Sequence, residues 1–181
     1  MGGRKGSYVL TRENIFLLVG ALVAVFLQLF MAPYIGLFSA VPNFLVAFAM
    51  AVAVVRPASY GCVMPFVLGL FFDFAGGGPI GAMAFSLTAF SVLASRIFMR
   101  VDNDSVFMAF VLMAIGVLLI DFSYAVLMLA SGFAGSIVDA IVYRAFPCFV
   151  YDFVLAMIAY PIVARFAKPA GVLRTELTQL R

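Results

Sequence analysis

Residues 105–130 read SVFMAFVLMAIGVLLIDFSYAVLMLA, an apolar run whose single charge is Asp121. A helix needs about 20 mostly apolar residues to cross the hydrocarbon core of a bilayer, and this stretch exceeds that length. Its apolar residues fall on every side of a helix rather than in one stripe, so its solvent is expected to be lipid or protein, not water. A barrel strand would instead alternate polar and apolar residues over about ten positions, and no such alternation is present.

Moving outward, charged or turn-forming residues cut the chain into further apolar runs. The expected helices are 15–31, 38–55, 58–74, 82–99, 105–130 and 137–165, in a single membrane domain covering 1–181. Runs two and three reach spanning length only with their flanks, so they are expected to be short, tilted or shielded. Composition agrees: 66% of residues are hydrophobic and only 10% charged, against roughly 25% charged in soluble domains. The first run is longer than a signal-peptide core and no A-x-A site closes it, so it is expected to remain as a helix.

An even number of spans puts both termini on one side. Every Lys and Arg except Arg144 then falls on that side, including Arg4, Lys5, Arg56, Arg96, Arg100, Arg165 and Arg181. Lys/Arg-rich short loops stay in the cytoplasm, which predicts cytoplasmic termini and six spans.

The polar residues within the runs are the informative ones, since a charge at a helix centre costs about 2.5–3.5 kcal/mol on insertion scales. They are Asp73, Asp121, Arg144 and Asp152, with Asp139 at the start of the last helix. At a rise of 1.5 Å per residue from the cytoplasmic ends, the three deep acids stand about 20–24 Å up their helices and Arg144 about 31 Å. These depths predict a polar seam in the outer half in which Arg144 pairs with Asp73, Asp121 or Asp139. For Asp139 and Arg144, both near the outer interface, reaching the headgroups is an equally good reading; for Asp73, followed by Ala-Gly-Gly-Gly-Pro, simple turn formation is nearly as good. Gly20 and Ala24, Ala47 and Ala51, and Ala49 and Ala53 have the small-xxx-small spacing that brings helices close in lipid. Cys62 and Cys148 are read as small packing residues.

The chain has no histidine, which removes histidine-based metal sites, catalytic triads and H-E-x-x-H proteases. It carries no nucleophile elbow or phosphate loop either. No enzymatic activity, cofactor, metal site or nucleic-acid binding is expected.

The order Val41-Pro42-Asn43-Phe44-Leu45, Arg56-Pro57, then Gly69-Leu70-Phe71-Phe72-Asp73 running into Gly78-Pro79-Ile80-Gly81 resembles the bacterial rod shape-determining MreD family. Val150-Tyr151-Asp152 and Tyr160-Pro161 continue the likeness. Asn43 stands where that family usually has Asp, which argues against a charge-based role there. The family-motif positions are Pro42, Gly69, Asp73, Gly78, Pro79 and Gly81. The resemblance implies a non-enzymatic scaffold in the bacterial cytoplasmic membrane that binds the bitopic protein MreC. Through MreC it would connect MreB filaments to the RodA-type polymerase and its class B penicillin-binding partner. It also implies the six-helix fold of the substrate-binding subunits of energy-coupling factor transporters. A vitamin-binding subunit of that kind is the alternative reading.

Overall fold

The computed structural model describes residues 12–36, 40–57, 61–100, 106–133 and 135–167; the basic tails used above to orient the chain lie outside them. Among the described residues there are six α-helices and no strand: α1 (Arg12–Phe30), α2 (Phe44–Val55), α3 (Val63–Gly76), α4 (Ala82–Phe98), α5 (Val106–Ala130) and α6 (Phe146–Ala167). A 3-10 turn, Ala32–Tyr34, follows α1, and a π-helical segment, Asp139–Ala145, leads into α6.

Two helices open later than the apolar pattern predicts. The pattern starts α2 at 38, yet it begins at Phe44 because Pro42 and the capping residue Asn43 precede it. Likewise α3 begins at Val63 rather than 58, and it runs on to Gly76, where Gly77 turns left-handed at φ +65° and ends it.

The helices differ in what they touch. In α2, Leu45 through Val54 are all buried, so this short helix is the axis around which the others pack. It is about 18 Å long at 1.5 Å per residue, well short of a hydrocarbon core of about 30 Å. Stretches on α1, α5 and α6 (Asn14–Tyr34, Val106–Ala130 and Ile141–Phe166) are long and apolar enough to cross a membrane. They also face outward, with only 11% of the α1 window buried and Leu18, Leu22, Phe26, Phe107 and Ile158 exposed. Meanwhile Gln28, Asn43, Asp73, Ser86, Ser91, Ser95, Asp121 and Asp152 are buried. Apolar side chains outside and polar ones within is the distribution of a protein dissolved in lipid.

The buried and half-buried hydroxyls of α4 cost little because they bond within their own helix. Ser86 donates to Ala82 O at 2.9 Å, Thr88 to Ala84 O at 2.6 Å, and Ser91 to Leu87 O. Between helices, packing relies on missing side chains. A Cβ on Gly69 of α3 would lie 2.5 Å from Ala84 Cα and 2.7 Å from Ala84 N, so the α3 and α4 backbones touch there. A Cβ on Gly20 would meet the Phe48 ring at 2.7 Å, so this small residue serves contact within the bundle. Stacked rings of Phe16 and Phe166, 5.0 Å apart, join the start of α1 to the end of α6.

Gly69→Val is expected to destabilise the fold by about 1–3 kcal/mol, because Ala84 backbone cannot move aside cheaply. Gly135→Ala, with no atom within 4 Å of the added Cβ, should leave the unfolding midpoint in detergent unchanged. Equal effects of the two variants in a thermal melt would contradict this account of the α3–α4 crossing.

Candidate functional site: two capped helix ends and a polar cavity

Short helices that begin inside a bundle expose N–H groups that water cannot reach, and each such group costs free energy unless an acceptor meets it. The acidic residues of the deep runs meet two of these ends. Asp73, near the end of α3, accepts N–H bonds from Gly81 at 2.9 Å, Met83 at 3.0 Å and Ala84 at 3.1 Å. Its carboxylate therefore caps α4 from outside that helix, and its negative charge lies at the positive end of the α4 dipole. The chain can supply this cap because Gly81 adopts φ +95° at the N-cap position, where its own side chain has nothing to offer. Gly78 fits the same junction: a Cβ there would stand 2.6 Å from the Tyr124 hydroxyl.

At the buried start of α2, three side chains supply acceptors. Asn43 Oδ1 accepts from Leu45 N at 3.1 Å and Val46 N at 3.2 Å. Gln28 Oε1, from α1, accepts from Phe44 N at 2.8 Å, and Asp152 Oδ1, from α6, accepts from Asn43 N at 2.6 Å. A cap needs an acceptor oxygen and not a charge, so Asn in place of Asp performs this task in full. Gln28 escaped the sequence reading; its signal was a lone amide inside the first apolar run.

Asp152 faces a second acid. Its carboxyl group and that of Asp121 on α5 lie within hydrogen-bonding reach of each other. Asp152 is fully buried and Asp121 is 6% exposed. The Oδ2 atom of each is buried and meets no donor from the protein. Two carboxylates cannot bond to each other without a proton between them, and otherwise a donor must come from outside the chain.

Both acids line one cavity of about 90 Å³, together with Asn43, Tyr124, Arg144, Cys148 and apolar residues including Phe72 and Met83. Cys148 lies within electrostatic reach of Asp121, Asp152 and Arg144. The free Cys62 is exposed, whereas Cys148 is half-buried at the cavity wall.

The structure thus brings Asp121 and Asp152 together and sets Asp73 apart in its own cap. Arg144 departs from the expected buried seam: it is exposed and, among the described residues, forms no ion pair with Asp73 or Asp121. Asp73 is already met by three N–H groups, and the π-helical segment that carries Arg144 turns it to the cavity mouth. The side chain of Asp139, its third expected partner, lies outside the described residues. Pro42 is buried ahead of the α2 cap, and Pro79 accepts from Ala82 N at 3.1 Å within the glycine-rich turn. Among the described residues no three His, Cys, Asp or Glu side chains are grouped to hold a metal ion.

Comparison with family models matches residues 11–169 to the family described as rod shape-determining protein MreD. No curated protein matches the chain, and no solved structure does.

Asp73→Ala strands three N–H groups at the head of α4 and is expected to cost about 3 kcal/mol or more. Asp73→Asn keeps one acceptor oxygen and should recover part of that loss. Thermal unfolding of both variants, followed by circular dichroism in detergent, measures the difference.

Proposed function

The chain belongs to the MreD family of rod shape-determining membrane proteins, and on that premise we propose that it is a non-enzymatic scaffold of the bacterial cytoplasmic membrane. In this reading it crosses the membrane six times with both ends in the cytoplasm. It binds an MreC-like bitopic protein, and through it links MreB filaments to the RodA-type polymerase and the class B penicillin-binding protein of the lateral wall.

The observation that carries the partner reading is an apolar trough of about 330 Å³ bounded by α1, α2 and α6. Val19, Val23, Ala24, Ala47, Ile158 and Ala159 are among its walls. Lipid offers no hydrophobic drive between helices, so a partner helix is held by close van der Waals fit, and a trough floored by Ala permits that fit. The long, little-buried α1 supplies one wall. The roles of Asp73 and Asp152 in this scaffold are to hold the helix ends that shape the bundle.

The vitamin-binding alternative is less well supported. Small-molecule pockets are typically about 300–1,000 Å³ with a few convergent polar groups, whereas the polar cavity here measures about 90 Å³.

Ala159→Phe fills the trough without touching either capped helix end. It is expected to reduce recovery of an MreC-like protein in a mild-detergent pull-down by about tenfold or more, equivalent to roughly 1.4 kcal/mol. Wild-type recovery from the folded variant would place the partner elsewhere. A periplasm-active reporter fused after residue 135 should be active, and one fused after residue 181 silent, if the six-span topology is right.

A further inference from the structure

The cavity walled chiefly by α5, the π-helical segment and α6, beside the capped start of α2, has an electrical polarity that partner binding does not use. At its floor are two buried carboxyl groups, each with an Oδ2 atom that no protein donor meets. At its mouth is Arg144, exposed and, among the described residues, not ion-paired with Asp73 or Asp121. Cys148 and Tyr124 also line the cavity, and the Tyr124 and Phe72 rings pack at near right angles with centroids 5.8 Å apart. Asp73 is satisfied by its three N–H bonds.

Each feature narrows the chemistry of an occupant. The floor lacks donors, and a primary ammonium brings three of them on one atom along with the compensating charge. A quaternary ammonium carries the charge but no N–H, so it leaves both oxygens unmet. Two carboxylates without a third ligating side chain suit an ammonium better than a metal ion. The guanidinium at the mouth repels a bare cation and attracts an anion, for which a phosphate offers paired acceptors. Arg144 on the π-helical segment and Asp152 on α6 are eight residues apart, about 12 Å at an α-helical rise. A ligand that meets both must therefore carry its cation and anion apart, which an α-amino acid, with both on one carbon, does not. Size agrees, since a water needs about 10–15 Å³ on this scale and the cavity offers about 90 Å³.

We infer that this cavity binds an ethanolamine-phosphate unit, its ammonium between Asp121 and Asp152 and its phosphate at Arg144. The unit reaches the site either as the headgroup of a phospholipid or as a free small molecule. The site uses only groups on the cavity wall, so it stands or falls separately from the trough and its partner.

Two arms distinguish the sources. The full chain in phosphatidylcholine/phosphatidylglycerol nanodiscs is dialysed against radiolabelled phosphoethanolamine. In parallel, the chain from mixed vesicles containing phosphatidylethanolamine is examined for retained lipid by native mass spectrometry. Saturable binding in the first arm identifies the free molecule. Selective retention of about one phosphatidylethanolamine per chain in the second identifies the headgroup. In whichever arm binds, Asp121→Asn should weaken binding by at least about tenfold, as expected for losing a charged hydrogen-bond partner. Arg144→Gln, at an exposed position where folding is not at risk, should weaken phosphoethanolamine similarly while phosphate-free ethanolamine is not weakened, since a repelling charge is removed. Absence of binding in both arms overturns the inference. So does equal binding of phosphocholine or phosphatidylcholine, and so does undiminished binding by both folded variants.

Discussion

The bond from Asn43 N to Asp152 Oδ1, 2.6 Å long and spanning 109 residues of sequence, holds the buried end of a helix too short to span a bilayer. Water would serve those N–H groups at a protein surface. Inside a bundle in lipid nothing does unless a side chain is delivered to them. The placement of α1 and α6 around α2 follows from that need, because Gln28 and Asp152 must both arrive at the same helix start. The outward apolar faces, the trough and the polar cavity all take their positions from this junction.

The same requirement explains the α3–α4 hairpin. Asp73 serves a helix end whose own N-cap residue is Gly81, and it reaches that end only because Gly69 lets the two backbones touch. The motif that suggested the family is therefore one device: a close crossing, a left-handed turn and a carboxylate that closes the new helix. Read singly, Gly69, Asp73, Gly78 and Gly81 look like separate features. In three dimensions the loss of any one loosens the others.

Much of the architecture was legible in the sequence, since charge-free runs and turn residues mark helices by period-independent means. The starts of α2 and α3 were less legible, because apolarity continues through non-helical chain and only Pro42 and Asn43 mark the true beginning of α2. The depths of the acids followed from a rise per residue, but depth says nothing about azimuth. That is why Asp121 and Asp152 could not be paired by counting and why Arg144 was expected inside. A π-helical segment changes the angular step from one residue to the next, and no residue type in Asp139–Ala145 announces it. Gln28 was overlooked for a related reason: in a run without an amphipathic face, one amide has no visible direction.

The capped start of α2 also has a temporal side. During synthesis Gln28 emerges before Phe44 and can meet its N–H as soon as the first two helices are inserted. Asn43 N–H must wait until Asp152 is made, near the end of the chain. Until then the central helix keeps an open backbone donor and lacks its α6 wall, so the bundle is closed by its last helix rather than grown outward from its first. A nascent chain that stalls before α6 is left with an unmet backbone donor at its centre.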